Sequence, residues 1–270
     1  MEEVYKKKEK LEKYLRELGS VLVAFSSGVD STFLLKTAHD VLGENAVALT
    51  ANSSVFPLRE SNEADAFCER EKIEHIKISF DELSVEGFSQ NPKNRCYICK
   101  KNLFSKIKEI AADRGLAYVV EGSNVDDEGD YRPGLMAVAE LEIKSPLRYA
   151  GLTKEDIRKL SKELNLPTWD KPSYACLASR FVYGETITKE KLGMVEKAEE
   201  KLMELGFRQM RVRIHGDMAR IEVEKKDFEK ITNPEISELI NTYFQELGFS
   251  YVTLDLGGYK MGSMNKNIDR

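Results

Sequence analysis

The chain contains no apolar run approaching the roughly 20 residues that span a bilayer, so no membrane helix is expected. Its opening stretch, Met1 to Lys13, is charged and lacks the apolar centre of a secretory leader. Val4, Leu11, Leu15 and Leu18 fall instead at the spacing of an amphipathic helix. A basic excess is missing too: 41 Lys and Arg stand against 46 Asp and Glu, a net charge of −5. Proteins that grip long nucleic acids through their phosphates carry a basic surplus or patch. The basic clusters here, Lys6-Lys7-Lys8 and Lys100-Lys101, read as solvated helix faces, so nucleic acid is not an expected partner. Cysteines are few, and only one C-x-x-C pair occurs, which argues against a zinc framework built from repeated pairs. Two familiar nucleotide loops are absent: no Gly-Lys-Ser/Thr of the Walker type and no G-x-G-x-x-G. A cytoplasmic chain large enough to bury one large core or two smaller ones is expected.

What is present is organised around Ser26-Ser27-Gly28-Val29-Asp30-Ser31-Thr32. The apolar run Val21 to Phe25 precedes it and reads as a buried parallel strand. Phe33, Leu34, Leu35, Ala38, Val41 and Leu42 follow at near-helical spacing. A strand, a tight polar loop and a helix start aim backbone N–H groups and a helix dipole at one point, which suits a phosphate. Ser26, Ser27, Ser31 and Thr32 add hydroxyls, and Gly28 allows close approach. Asp30 would repel a bare phosphate, which suggests Mg²⁺ or a positioned N–H beside it. The bland alternative is an ordinary turn with Asp30 as helix cap.

Further strands are expected over Ala46–Ala51, Ile73–Phe80, Ala117–Val120 and Glu142–Leu147, alternating with helices. The strand ends at Asn52 and at Glu121-Gly122-Ser123-Asn124 are polar, as is the first loop. Three polar loops at the carboxyl edge of a parallel sheet form a site pattern. Cys68 shares a helix face with Ala64 and Phe67 and reads as a core thiol. Cys96 and Cys99 stand where a helix begins; C-x-x-C suits a redox pair, half a zinc site or part of an iron–sulfur site. Arg132, in Asp130-Tyr131-Arg132-Pro133-Gly134, is a candidate phosphate or carboxylate contact or a surface residue. Cys176 lies near Lys171 and Arg180 in sequence; those charges would stabilise its thiolate if close, and the alternative is an inert buried thiol.

From about Tyr183 the pattern changes to a compact α+β unit. A helix over Thr188–Leu205, a hairpin around His215-Gly216-Asp217, a helix over Pro234–Leu247 and a closing strand from Tyr251 are expected. Arg211 and Arg213 share one strand face, where they could clamp an anion or simply be solvated. The expected division is a domain over residues 1–182 and a smaller one over 183–270.

The loop Ser26–Thr32 resembles the SGGxDS loop of the PP-loop ATP pyrophosphatases, with Ser27 in place of the first glycine. With Asp130–Gly134, Cys176 and Ser179-Arg180-Phe181, Arg211-Val212-Arg213 and Tyr251–Gly258 in that order, nearly the whole chain resembles the LarE-type ATP-dependent sulfur transferases. The resemblance implies a PP-loop α/β domain with a smaller C-terminal α+β domain, ATP and Mg²⁺ as cofactors, and a homo-oligomer, often a hexamer. It implies adenylation of the carboxylates of a pyridinium-3,5-biscarboxylic acid mononucleotide and their conversion to thiocarboxylates for a nickel-pincer nucleotide cofactor. Ser26, Ser27, Gly28, Asp30, Ser31, Thr32, Asn52 and Gly122 would hold ATP and pyrophosphate. Arg132, Arg180, Arg211 and Arg213 would hold substrate, and Glu199 and Glu222 match acidic positions linked to a metal or inter-subunit site. Asp30 is the candidate Mg²⁺ ligand. In one branch a cysteine at the position of Cys176 surrenders its own sulfur; in the other, three cysteines hold a 4Fe–4S cluster that takes sulfide from an outside source. Cys96 and Cys99 beside Cys176 favour the cluster branch. A tRNA thiolase, an ammonia-using synthetase and a nucleotide-binding regulator without chemistry remain the rival readings.

Overall fold

The computed structural model describes residues 2–129, 133–172, 175–260 and 262–264. They fall into two compact units, one of residues 1–80 and 96–174, the other of residues 81–95 and 175–270.

The first unit opens with α1 (Glu2–Leu18), whose buried residues Val4, Leu11, Leu15 and Leu18 are the expected stripe. Then follow β1 (Val21–Ala24), α2 (Val29–Leu42), β2 (Ala46–Asn52), α3 (Leu58–Glu71), β3 (His75–Ser79), α4 (Arg95–Asp113), β4 (Tyr118–Val120), α5 (Pro133–Glu140), α6 (Pro146–Ala150) and α7 (Lys154–Glu163). The strands form a four-stranded sheet in the order β3-β2-β1-β4, and every pairing is parallel. β1 is apolar throughout because helices cover both of its faces. Val21 and Val23 pack with the apolar residues of α1, α2, α3 and α7. Leu22, between them, points the other way and packs with Phe104, Ile107 and Ala111 of α4 and Val138 of α5. This three-layer arrangement is the expected α/β fold with a parallel sheet. Thr153 caps α7 in a reciprocal capping box with Asp156, as that spacing predicts.

The strand expected over Glu142–Leu147 does not form. Only Lys144 reaches the sheet, through a single bridge to Val120. Glu142 lies at φ 57°, and Pro146 begins α6. Proline has no N–H for a ladder but suits the first helical turn, so the chain turns away from the sheet there.

The second unit contains α8 (Lys189–Glu204), β5 (Met210–His215), β6 (Met218–Val223), α9 (Phe228–Ile231), α10 (Pro234–Glu246) and β7 (Tyr251–Leu254). β5 and β6 form the expected antiparallel hairpin, and β7 adds in parallel beside β6. Leu192, Val195, Ala198 and Leu202 of α8 are buried, as are Val212, Ile214, Ile221, Phe244 and Phe249. The stretch 81–95 is stitched into this unit by main-chain bonds. Ile187 N–H donates to Ser89 O at 2.8 Å and Gly184 N–H to Asn91 O at 2.9 Å.

Candidate active site

In the first unit the order β3-β2-β1-β4 makes the chain leave β1 to one side and return on the other. The carboxyl ends of β1 and β4 are therefore a topological switch point, where open parallel sheets bind ligands. The loop after β1 leads straight into α2, whose N-cap is Gly28 with no side-chain cap. Asp30 is thus not the helix cap. The first N–H groups of an uncapped helix are available to an anion. The Ser26 and Ser31 hydroxyls lie 3.0 Å apart, and Ser26 N–H donates to Ser31 Oγ at 3.3 Å. Thr32 is buried, its hydroxyl without a hydrogen-bond partner among the described residues.

Gly122, just after β4, comes up against this helix start. A Cβ there would lie 3.1 Å from Ser31 N and 3.3 Å from the Asp30 carbonyl carbon. Glycine is required by proximity, not by dihedral freedom. Asn52, at the exposed end of β2, accepts a bond from Ser61 Oγ at 2.7 Å. The three strand ends are thus all carboxyl ends of neighbouring strands.

Asp30 has a specific companion that the sequence did not announce: the Lys154 ammonium at the start of α7 bonds its carboxylate. Asn124 Nδ2 also donates to Asp30 Oδ1, at 3.4 Å. Burial pushes the Asp30 carboxyl above the usual range; Lys154 pulls it down without cancelling that effect. Asp30 is a half-buried carboxylate held by one cation and one amide, an oxygen donor of the kind Mg²⁺ takes.

Ser27 has a φ of 50°, a left-handed conformation that costs a residue with a Cβ roughly 1–2 kcal/mol. Its hydroxyl faces two acceptors on Glu60, the main-chain O at 2.9 Å and Oε2 at 3.0 Å. A hydrogen bond to a charged group contributes about 1.5–3 kcal/mol, enough to offset the backbone cost. Lys171 Nζ bonds Glu60 Oε2 at 2.7 Å, Glu63 and Ser27 O at 3.1 Å. Its charge is therefore paired with carboxylates rather than reserved for a thiolate.

Cys96 is exposed and Cys99 half-buried, and neither is in a disulfide. They sit three residues apart in the first turn of α4. A Cβ on Gly134 would lie 2.8 Å from Lys100 Cδ and 3.5 Å from Cys96 O. The Pro133-Gly134 end of the Asp130–Gly134 motif therefore borders the C-x-x-C turn. Arg132 itself lies outside the described residues. Cys68 is buried, and burial pushes its thiol up to about 12, as suits a core cysteine.

The second unit holds a buried charge cluster. Arg180, Arg211, Arg213, Glu199 and Glu222 are each no more than 5% exposed, so neither the arginines nor the carboxylates form a solvated face. Arg180 Nε donates to Glu199 Oε1 at 2.9 Å, and its Nη2 to Oε2 at 2.7 Å. Val212 N–H also donates to Glu199 Oε1. Burial alone would raise Glu199, but the Arg180 guanidinium outweighs it and holds the carboxyl below its usual range. Arg213 donates to Glu222 Oε2 at 3.2 and 2.9 Å. Arg220 and Ser263 donate to Glu222 Oε1. The carboxylates proposed for a metal are thus engaged by arginines. Burial, then the neighbouring Arg180, lowers the Arg211 guanidinium to about 10. Cys176 is half-buried, and Arg180 Nη1 donates to its carbonyl at 3.2 Å and to Ala175 O at 2.6 Å. Of the two cations expected near this cysteine, Arg180 bonds its main chain, and the Arg180 charge is paired with Glu199.

Among the described residues no group of three His, Cys, Asp or Glu side chains could hold a metal ion. No helix among them is long and apolar enough to cross a membrane.

No family model matches the chain. It is 40% identical over 265 residues to pyridinium-3,5-bisthiocarboxylic acid mononucleotide synthase of Lactiplantibacillus plantarum, covering 98% of this chain and 95% of that one. It is 43% identical over 265 residues to an uncharacterized protein of Synechocystis sp., covering 98% of each. It is also 26% identical over 192 residues to one of the subunits of a glutamine-hydrolyzing GMP synthase from Thermoplasma volcanium, covering 66% of this chain and 61% of that one.

Proposed function

The chain belongs to the LarE family, that of the pyridinium-3,5-bisthiocarboxylic acid mononucleotide synthases within the PP-loop superfamily, and from that premise we propose that it is an ATP-dependent sulfurtransferase. Its substrate is the pyridinium-3,5-biscarboxylic acid mononucleotide, which it converts to the bisthiocarboxylate. A carboxylate is a poor electrophile until its oxygen becomes part of a good leaving group. A substrate carboxylate oxygen attacks the α-phosphorus of ATP, the bond to the β-phosphate oxygen breaks, and pyrophosphate leaves. A sulfur nucleophile then attacks the acyl carbon, and AMP departs with the carbon–oxygen bond electrons. The thiocarboxylate remains, and the sequence repeats at the second carboxylate.

The observation that carries this reading is the uncapped start of α2 at the switch point, with Gly122 against Ser31. Its N–H groups and the hydroxyls of Ser26, Ser31 and Thr32 stabilise the departing pyrophosphate. Mg²⁺, when bound, would neutralise phosphate charge, and Asp30 is the residue to hold it. The buried cationic cluster of Arg180, Arg211 and Arg213 supports their role as receivers of the substrate's phosphate or free carboxylate. Arg132 is assigned to the same substrate by resemblance.

For the sulfur route, a 4Fe–4S cluster on Cys96, Cys99 and Cys176 is the first reading, and sacrificial donation from Cys176 is its alternative. The 4Fe–4S reading draws support from three cysteines that form no disulfide and from Cys96 and Cys99 on one helical turn. The fit is partial, because no three-ligand group occurs among the described residues, and no step is routed through a cluster. When bound, a cluster would offer sulfide from an external source to the activated carboxyl. The remaining proposals are a small-molecule partner rather than nucleic acid, a cytoplasmic location, and a homo-oligomer, as in the hexameric members of the family.

The test is incubation with ATP, Mg²⁺ and sulfide together with either the pyridinium mononucleotide or tRNA. Pyrophosphate release and a mass gain for oxygen-to-sulfur exchange on the mononucleotide are expected. Thiolation of tRNA alone, or release with neither, overturns the proposal.

A further inference from the structure

Ser27 stands where the superfamily loop has glycine, in a conformation that glycine adopts freely. Two segments distant in sequence hold it there. Glu60, buried in the first turn of α3, takes the Ser27 hydroxyl. Lys171 takes the Ser27 carbonyl and bonds Glu60 in turn. In a planar trans peptide the carbonyl of residue 27 and the N–H of residue 28 point in opposite directions. Tying down the Ser27 carbonyl therefore fixes where the Gly28 N–H is aimed. We infer that Glu60 and Lys171 are positioning residues that set this loop for the pyrophosphate portion of ATP, Glu60 through the Ser27 side chain and Lys171 through the Ser27 main chain. The inference rests on the loop being the pyrophosphate site proposed above.

The two routes separate experimentally. In a Ser27→Gly background the hydroxyl is gone and the backbone no longer needs restraint, so the direct part of Glu60 ends; its hold on Lys171 is shared with Glu63. The carbonyl persists, so the part of Lys171 does not. Charge alone predicts that removing a carboxylate beside an anion site tightens anion binding. Positioning predicts the reverse for Glu60→Gln.

Binding of inorganic pyrophosphate to the full chain is measured by calorimetry, with amide exchange over residues 26–31 followed in parallel. In the parent chain, Glu60→Gln and Lys171→Met are each expected to weaken binding about tenfold, the loss of one good hydrogen bond, and to speed loop exchange. In the Ser27→Gly background the Glu60→Gln effect shrinks to less than about twofold, while that of Lys171→Met remains. Should Glu60→Gln unfold the chain, Glu60→Asp, which keeps the charge and shortens the reach, is expected to show the same coupling to Ser27. Unchanged or tighter binding, equal losses in both backgrounds, or a fall in melting temperature with no change in affinity overturns the positioning role. A parent chain that binds no pyrophosphate overturns the reading of the loop, and the inference with it.

Discussion

Gly122 lies so close to Ser31 that a Cβ on it would stand 3.1 Å from the Ser31 nitrogen. The neighbour is main chain at the first turn of α2 and cannot swing aside as a flexible side chain would. Gly122→Ala should therefore push the helix start by a few tenths of an ångström and misdirect its N–H groups. We expect about a tenfold weaker affinity for ATP, from displaced electrostatic contacts, and a stability loss of about 1–3 kcal/mol from overpacking. Calorimetric titration and urea denaturation check the two parts. Full ATP affinity in a folded Gly122→Ala variant would place the nucleotide elsewhere.

The paired charges of the second unit give a pH dependence with a definite sign. Glu199 is held below the usual carboxylate range, so its contribution is present above the unfolded carboxyl pKa of about 4.3. That contribution is lost as pH falls through the depressed folded value. Amide exchange over β5 and β6 should accelerate sharply below about pH 4 in the parent chain. Glu199→Ala should be destabilised already at pH 7, by about 3–5 kcal/mol, because it leaves Arg180 buried without its main counter-charge. The acid limb of that variant should be flatter. Identical acid profiles would show that Glu199 does not carry this dependence.

Thiol reactivity should sort by burial. At pH 8 a thiol with a pKa of about 12 is ionised to about one part in ten thousand, so Cys68 should resist alkylation until the chain unfolds. Cys96, exposed in the first turn of α4, should label first. Peptide mapping after timed treatment with N-ethylmaleimide reads the order directly. Native-state labelling of Cys68 ahead of Cys96 would contradict the packing of α3.

The parts legible from sequence were those whose signal is local. Val21–Ala24 is apolar because both sides of a central parallel strand are covered, and Thr153 with Asp156 is a capping pattern within four residues. Glu142–Leu147 misled because its alternation resembles an edge strand while Pro146 starts a helix. Arg211 and Arg213 look solvated from their alternation with valine and isoleucine. What buries them are partners from elsewhere, Ser179 O for Arg213 and the Arg180–Glu199 pair beside Arg211. Lys154 on Asp30 spans 124 positions and Lys171 on Glu60 spans 111. No spacing rule connects such pairs; only the fold brings them together.

The sulfur route is settled by what happens to iron and to Cys176. If the thiols at 96, 99 and 176 hold a 4Fe–4S cluster, protein purified without oxygen should be brown and contain about four iron atoms and four sulfides per chain. Cys96→Ala and Cys176→Ala should each lose most of that iron. Turnover with excess sulfide should then exceed one product per chain, and Cys176 should keep its mass. If Cys176 is sacrificial, its thiolate attacks the acyl adenylate, AMP leaves, and loss of the Cys176 α-proton breaks the Cβ–S bond. The thiocarboxylate then departs with the sulfur. Turnover would stop at one sulfur per chain, Cys176 would appear as dehydroalanine lighter by the mass of H₂S, and Cys96→Ala would leave that single turnover intact. Iron content, product stoichiometry and the mass of the Cys176 peptide are three independent readings. A colourless, iron-free anaerobic sample that still performs one turnover would reject the cluster and leave the LarE assignment standing.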